Sequence, residues 1–250
     1  MLTLKCLILK ERSMGEINKS ISVLTAEKGV IDILVRGGQK STKNAASTQL
    51  FSYSSICLDE KRGANGQVQY YLNSSSLIRS FYNIRLDIKK TALASYFSEL
   101  ILFSRTEEAG YHDVMRLALN SLYFLDNGKM DMQLLKCVFE FRLPCEIGMR
   151  PYLVGCANCY KYEDEKMHFD FRTNKLYCDD CYYSDENSDD VLLDKTLLYI
   201  VRFIALSDFE KLFFFKISKR YLDKLTAFTE SFIAYNFKNR FTSLDYYKNI

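Results

Sequence analysis

Residues 156–181 read CANCYKYEDEKMHFDFRTNKLYCDDC, and this stretch decides how the rest of the chain is interpreted. It contains two Cys-x-x-Cys pairs separated by eighteen residues, a spacing typical of a four-thiolate zinc site. Each pair predicts a tight turn, and the segment between the pairs predicts a short hairpin that brings the second pair to the first. The sequence therefore predicts one structural Zn²⁺ ion, bound by Cys156, Cys159, Cys178 and Cys181.

The four cysteines have two other interpretations, a redox-active pair and two disulfides. A redox pair usually follows a strand in a βαβ context, and the surrounding pattern shows no such unit. Four thiolates complete a tetrahedral site and leave no position for water or substrate, so this metal is expected to be structural. His168 is expected to be a surface residue of the hairpin, and the four other cysteines to be core residues: Cys6, Cys57, Cys137 and Cys145.

The segment before the cysteines begins with short, alternating, β-branched runs separated by polar turns. Five such runs up to about residue 75 predict five antiparallel strands. Five strands in this length favour a small closed barrel, with the oligonucleotide/oligosaccharide-binding (OB) fold as the leading candidate and an SH3-like barrel as the competitor. We therefore expect a barrel domain over residues 1–78.

From about residue 79 the hydrophobic period changes from two to about 3.6, which predicts helices. Asp87 is a candidate N-cap for the first helix, and Pro144 should kink or end the third. An acidic, serine-containing run at 183–190 is expected to be a linker. Helices are expected at about 87–104, 111–126, from 131, 193–206 and 218–237.

The expected fold class is α+β and multidomain, with the cysteine module inserted between helices. The proposed divisions are an OB-type barrel at 1–78, a first helical part at 79–150, a zinc-binding module at 151–189 and a second helical part at 190–250. The chain has no apolar run long enough to cross a bilayer and no signal-peptide pattern at its start, so we expect no membrane association and a cytoplasmic location. In a reducing compartment, paired cysteines favour metal over disulfides.

The net charge of +3 is unevenly distributed. Residues 1–45 carry +4 and residues 195–250 carry +5, whereas residues 159–194 carry −7. A polyanion is therefore expected to bind the barrel or the C-terminal segment, and not the cysteine module. The candidate nucleic-acid contacts are the basic residues of the barrel and of its polar loop: Lys5, Lys10, Arg12, Lys19, Arg36, Lys40 and Lys43.

Several enzyme classes are disfavoured by the residues themselves. The chain has only two histidines, which makes histidine-based acid/base catalysis improbable. The zinc deaminase pattern is absent, because the sequence at His112 reads HDVM and there are two Cys-x-x-Cys pairs where one is expected. VRGGQKS at 35–41 lacks the spacing of a phosphate-binding loop. We therefore expect a protein that is not an enzyme.

Several motifs, in their order along the chain, carry a family resemblance. They are MGE at 14–16, TAEKG at 25–29, VRGGQK at 35–40, QLFSYSSICL at 49–58, FEFRL at 139–143, GMRPYLVGCANC at 148–159 and FTSLDYY at 241–247. In this order and separation they resemble the RecO family of DNA repair proteins over nearly the whole chain. Two departures concern turns: Tyr160 stands where the family often has Gly, and Asn174-Lys175 replaces a common Gly-Gly.

The resemblance implies a non-catalytic recombination mediator that binds single-stranded, and also double-stranded, DNA and anneals complementary strands. It also implies two protein partners, RecR and the tail of the single-stranded DNA-binding protein, and a nucleoid-associated place in the bacterial cytosol. We expect the acidic tail to meet an apolar groove and a basic rim in the C-terminal helices: Phe228, Phe232, Tyr235, Lys216, Lys219, Arg220 and Lys224. The alternative is a zinc-stabilised adaptor that joins proteins without binding nucleic acid.

Overall fold

A computed structural model describes residues 1–40, 42, 44–63, 66–105, 111–183 and 189–250. The chain divides into two compact units. The first comprises Met1–Lys129 together with Phe241–Ile250, and the second comprises Met130–Arg240. The four-part division proposed from the sequence stays a prediction.

The first unit begins with the predicted five strands. They are β1 (Leu2–Met14), β2 (Asn18–Thr25), β3 (Gly29–Val35), β4 (Tyr53–Arg62) and β5 (Val68–Arg79). They form a closed barrel in the order β1-β2-β3-β5-β4, in which β3 and β5 are parallel and the other pairs antiparallel. The OB-type barrel is therefore confirmed. Its core is formed by alternating apolar side chains such as Leu4, Cys6, Ile21, Ile33 and Ile56.

An irregularity in β1 decides which way its basic residues face. Ile8 is opposite Val23, and the next pair is Lys10 with Ser22, so Leu9 is an extra residue in the ladder. Because the side-chain period of a strand is two, one extra residue moves every later side chain to the other face. Lys10 is therefore exposed on the outside of the barrel, although Cys6 and Ile8 occupy its core.

Helices complete the first unit: α1 (Tyr82–Arg85), α2 (Ile88–Phe103), α3 (Tyr111–Asn127) and, at the end of the chain, α8 (Thr242–Asn249). Asp87 caps α2 as predicted, because its carboxylate accepts hydrogen bonds from the amides of Lys89 and Lys90. Helix α3 packs close to the barrel at Gly29, where an added Cβ would lie 2.4 Å from the Tyr111 ring. Helix α8 is held to α2 by Glu99, whose carboxylate accepts a hydrogen bond from the Ser243 amide at 3.0 Å.

The second unit joins a small sheet to four helices. Its elements are α4 (Met132–Glu146), β6 (Tyr152–Cys156), β7 (Lys166–Asp170), β8 (Lys175–Cys178), β9 (Asp190–Asp194), α5 (Lys195–Leu206), α6 (Phe209–Leu212) and α7 (Lys219–Phe237). The strand order is β6-β8-β7-β9. Asp131 caps α4, and this helix continues past Pro144 for only two residues. Pro144 has no amide hydrogen to donate to the carbonyl four residues earlier, and the helix ends soon after it, as predicted.

The sequence prediction was wrong about strand β9. The sequence predicts a linker that includes Asp190 and a helix that begins at residue 193, but residues 190–194 form a strand that pairs with β7. Helix α5 begins only at Lys195, where Asp194 caps it by accepting a hydrogen bond from the Leu197 amide at 2.9 Å. The strand was missed because its five residues are flanked by acidic residues, so the apolar alternation is short.

Phe228 and Phe232 lie in the interior of the second unit and do not line an open groove. Both are at most 1% exposed, and the Phe141 ring lies 5.3 Å from Phe228 and 4.9 Å from Phe232. Phe169 of β7 packs on Phe228 from the sheet side at 5.3 Å. The sequence correctly places Phe228 and Phe232 on one face of a helix. This chain's own aromatic residues cover that face, so a partner cannot reach it.

Among the described residues, no helix combines the length and the hydropathy needed to cross a membrane.

Candidate metal centre and nucleic-acid interface

The four predicted ligand cysteines lie together in the second unit. Two turns position them: the Tyr160 amide donates to the Cys156 carbonyl at 3.0 Å, and the Cys181 amide donates to the Cys178 carbonyl at 3.0 Å. The amide of Ala157 donates to the carbonyl of Leu176 at 2.7 Å, which ties the first turn to the hairpin. Local turns and the β7–β8 hairpin therefore bring the two pairs together, as the spacing predicted.

The sulfur geometry fits a tetrahedral metal ion. All four sulfur atoms lie within 4.8 Å of one another, and those of Cys159 and Cys178 are 3.6 Å apart. Metal–sulfur bonds of about 2.3 Å place the sulfurs of a tetrahedral site about 3.8 Å apart, whereas a disulfide requires about 2.05 Å. All four cysteines are free thiols. The cluster has the donor type, number and separation that one metal ion needs.

The backbone around Cys156 favours its thiolate form. Burial alone would raise the pKa of this thiol, but backbone amides of Cys159, Cys178 and Asn158 donate to its sulfur and lower the pKa to about 6. Amide donors directed at a sulfur stabilise the negative charge that a metal ligand must carry. These hydrogen bonds thus favour the form in which Cys156 can bind a metal.

The turn residues that depart from the family pattern adopt the backbone conformation that glycine favours. Tyr160 has a φ of 61° and Asn174 a φ of 54°, both in the left-handed region. Asn tolerates this region, whereas a tyrosine there costs about 1–2 kcal/mol. Gly155 is required for a different reason, because an added Cβ would lie 2.9 Å from the carbonyl oxygen of Lys161.

His168 is not the surface residue that the sequence suggested. Its ring is half-buried and stacks on Tyr182 with a centroid distance of 4.1 Å. The two ring nitrogens lie 2.7 Å from a carboxylate oxygen of Asp179 and 3.0 Å from one of Asp190. His168 therefore links β7 to β9 and to the second cysteine turn, and it does not belong to the four-sulfur cluster.

On the barrel, a row of laterally paired residues crosses four neighbouring strands. Arg12 on β1 is opposite Ser20 on β2, and Ser20 is opposite Leu34 on β3. Leu34 is in turn opposite Tyr71 on β5. We call these four residues the outer row, because they alternate with core residues such as Ile21 and Ile33. On β4 the residue opposite Tyr71 is Asp59, so the row continues to a carboxylate.

Two further cations gather at the β5 end of the outer row. The Arg36 guanidinium lies 4.6 Å from the centre of the Tyr71 ring, and the Lys61 ammonium lies 5.3 Å from it. Cations over an aromatic face provide both charge and a flat surface for a base. Sequence reasoning missed Lys61, because the predicted strand ended at Glu60, whereas β4 continues to Arg62 and places Lys61 on the same face as Asp59.

The seven predicted DNA contacts differ in accessibility. Lys5, Lys10, Arg12, Arg36 and Lys40 are exposed. Lys43 lies outside the described residues. Lys19 is 8% exposed, and its ammonium donates to Glu11 at 2.9 Å and to the Thr48 carbonyl at 3.2 Å. Since these groups already occupy the ammonium, we leave Lys19 out of the candidate DNA surface.

The predicted partner residues also separate into accessible and engaged groups. Lys219 forms an ion pair with Asp223 at 3.0 Å, and Lys224 is paired with Asp194. Lys216 and Arg220 are exposed, and within the part of the chain that the structure describes neither forms an ion pair. Tyr235 is half-buried, with its ring centre 6.2 Å from that of Phe171.

An open apolar cavity lies beside Lys216. It measures about 350 Å³ and is bounded by α5, by the start of α7 and by the turn before α7. Its lining includes Tyr199, Phe203, Phe215, Lys216 and Tyr221. An accessible apolar site with a basic rim therefore exists in the second unit, but other aromatic residues than the predicted Phe228 and Phe232 form it.

The chain thus combines a closed OB-type barrel, whose outer surface is basic and aromatic, with a helical unit that carries a four-cysteine cluster. The model of the Recombination protein O N terminal matches residues 1–81, and that of the Recombination protein O C terminal matches residues 85–245. The chain belongs to the RecO family.

Named relatives agree with this assignment over most of the chain. The DNA repair protein RecO of Acetivibrio thermocellus is 27% identical over 246 residues, which cover 98% of this chain and 95% of the relative. That of Caldicellulosiruptor saccharolyticus is 27% identical over 247 residues, covering 98% and 97%. That of Bacillus pumilus is 30% identical over 180 residues, covering 72% and 68%. The family identity supports a role in DNA repair and recombination.

Proposed function

We propose that this chain is a non-catalytic mediator of recombination, which binds DNA, anneals complementary strands and helps to load recombinase onto single-stranded DNA. The outer row of the barrel carries this proposal. Arg12 lies at one end of the row, and Arg36 and Lys61 surround Tyr71 at the other. Sequence-independent binding of a single strand requires cations placed along its phosphate backbone and an aromatic face on which a base can stack.

The proposed mechanism needs no reacting group. Phosphates bind to the basic side chains and release counterions, while the bases stay available for pairing with a second strand. Neutralising the phosphates of both strands lowers their mutual repulsion, which promotes annealing. Relatives described as bacterial DNA repair proteins support a place in the cytosol, at the nucleoid.

An annealing assay with complementary oligonucleotides, with and without single-stranded DNA-binding protein, tests this function. We expect faster annealing, and a binding constant that falls as salt rises, with a log–log slope of about −0.7 to −0.9 for each neutralised phosphate. Heat-unfolded protein is the control. If oligonucleotide binding is absent at about 50 mM salt, or does not weaken as salt rises, the mediator proposal fails and the zinc-stabilised adaptor remains.

We further propose that the four-cysteine cluster binds one structural Zn²⁺ ion. Cys156, Cys159, Cys178 and Cys181 offer four sulfur donors within 4.8 Å of one another. Soft thiolate ligands in this number suit zinc, and they leave no open position for catalysis. The ion would hold the two turns together and thereby stabilise the sheet of the second unit.

Two protein partners complete the proposal: RecR, and the acidic tail of the single-stranded DNA-binding protein. We assign the tail to the cavity beside Lys216. Tyr199 and Phe203 offer it apolar contacts, and Lys216 and Arg220 offer charge complementarity to an acidic peptide. The buried Phe228 and Phe232 contribute only by supporting α7 from inside.

Binding of a fluorescent peptide with the tail's sequence tests the cavity. Tyr199→Ala and Lys216→Glu should each weaken the peptide's affinity about tenfold, because an aromatic anchor and a rim charge are lost. Fluorescence anisotropy measures the dissociation constants. Lys211→Glu is the matched control, since Lys211 is exposed in the same unit but does not line the cavity. Unchanged affinity in both cavity variants would rule this site out.

A further inference from the structure

A second cavity lies in the first unit, where the ends of β4 and β5 meet α3. It measures about 500 Å³ and is open to solvent. Tyr53, Arg79, Phe81, Asn120 and Tyr123 line it, together with two aliphatic side chains. This volume falls within the range of about 300–1,000 Å³ that small-ligand sites occupy. Of the residues predicted to bind DNA, none that the structure describes lies in it.

The walls of the cavity combine flat faces with positive charge. The Arg79 guanidinium lies 4.9 Å from the centre of the Tyr123 ring and 5.5 Å from that of Phe81. The ammonium of Lys129 lies 5.1 Å from the Tyr123 ring centre. Aromatic rings and guanidinium planes are the surfaces on which unpaired nucleobases stack. Asn120 adds an amide that can donate to and accept from a base edge.

Local backbone geometry directs these groups to one place. Tyr53 is opposite Arg79 in the β4–β5 ladder, and the next pair is Ser54 with Leu77, so Ile78 is an extra residue. Such bulges redirect side chains and occur preferentially beside functional sites. The bulge places Tyr53 and Arg79 side by side at the end of the barrel, facing α3.

The cavity is suited to an anion-bearing ligand. Lys129 donates a hydrogen bond to the Tyr123 hydroxyl at 3.0 Å, and this contact lowers the pKa of that phenol. Among the lining residues that the structure describes, none is acidic. A nucleotide, which has both a flat base and a phosphate, matches this combination better than a purely apolar ligand.

We propose that this cavity accepts one unpaired base of single-stranded DNA, with Tyr123 as the stacking face and Arg79 as the contact to the adjacent phosphate. The inference rests on the proposed DNA-binding function and extends it. It adds a base-binding site at the end of the barrel to the phosphate contacts proposed for the outer row. A base bound in this cavity, away from the phosphate contacts, also gives a single strand a fixed register on the protein.

Photo-crosslinking tests the site directly. An oligothymidylate containing 5-iododeoxyuridine is irradiated with the full-length protein, and the crosslinked peptides are identified by mass spectrometry. Halogenated uracils crosslink to aromatic residues on which they stack, so we expect adducts at Tyr123 or Tyr53. In binding measurements, Tyr123→Leu should weaken single-strand affinity about tenfold with little change in salt slope, whereas Tyr123→Phe should retain it.

The controls separate this site from the barrel surface. Tyr82→Leu removes an exposed tyrosine of the same unit that lies outside the cavity, and it should leave affinity unchanged. Arg79→Gln should reduce the magnitude of the salt slope by about 0.7, and Arg79→Lys should restore it. Normal salt-dependent binding by Tyr123→Leu, with adducts elsewhere, would overturn the site and leave the proposed function standing. Absence of DNA binding by the unaltered protein would overturn both.

Discussion

Substituting Cys178 by serine, or removing metal with a chelator, is expected to unfold the second unit. A structural zinc site contributes an apparent binding free energy of about 10–16 kcal/mol in zinc-finger peptides, which is comparable to the whole stability of a domain, about 5–15 kcal/mol. Cys178 ends β8, and its carbonyl accepts hydrogen bonds from the amides of Cys181 and Tyr182. The loss should therefore spread from the turn into the sheet.

Hydrogen exchange read by mass spectrometry measures this loss unit by unit, and a colorimetric zinc assay measures the metal content. Cys57→Ser is the matched control, because Cys57 is a half-buried cysteine of the barrel outside the cluster. We expect it to keep one zinc per chain. Normal protection of β7 and β8 in metal-free protein would show that the sulfur cluster does not stabilise the fold through a metal.

The DNA affinity of the barrel should largely survive chelation, because the outer row lies in the first unit and needs no sulfur ligand. We expect the dissociation constant for single strands to change by less than tenfold. An equal loss of folding and of DNA binding would instead place the DNA site in the cysteine module.

Replacing Lys10, Arg12 and Arg36 together by glutamine should weaken DNA binding about a hundredfold at 0.1 M salt. The three side chains are exposed on the barrel, and each is expected to neutralise one phosphate. The log–log salt slope should become shallower by about 2 to 3. Titration of labelled oligonucleotides at several salt concentrations gives both quantities.

A charge-matched control distinguishes local contacts from the effect of net charge. Lys166, Lys175 and Lys211 are exposed in the second unit, and their replacement by glutamine removes the same charge. We expect this control to bind DNA nearly normally. An equal loss in the control would indicate only long-range attraction, and a loss confined to some DNA sequences would indicate base contacts in place of phosphate contacts.

Features with local signals could be predicted from the sequence. The five strands, the N-cap Asp87 and the four-sulfur cluster each depend on residues close together in the chain. Strand β9 was missed because strand pairing decides it: its residues pair with β7, and that partner is not visible in a short acidic segment.

The surfaces were harder to predict than the elements. Helical periodicity showed that Phe228 and Phe232 share one face, but it does not reveal that Phe141 and Phe169 cover that face. The cavity beside Tyr123 was not foreseeable either, because its walls come from β4, β5 and α3, and a bulge at Ile78 aligns them. Such juxtapositions depend on tertiary packing, which sequence spacing does not encode.

Asp194, the N-cap of α5, joins three elements through a single carboxylate. One oxygen accepts from the Leu197 amide of α5, the other pairs with Lys224 of α7, and the residue itself ends β9. Burial would raise the pKa of this carboxyl, but Lys224 and the amide outweigh burial and hold the pKa below its ordinary value. The sheet that carries the four-cysteine cluster and the helices around Tyr199 should therefore open as one cooperative foldon, so that occupancy of the proposed metal site would set how long the cavity beside Lys216 persists.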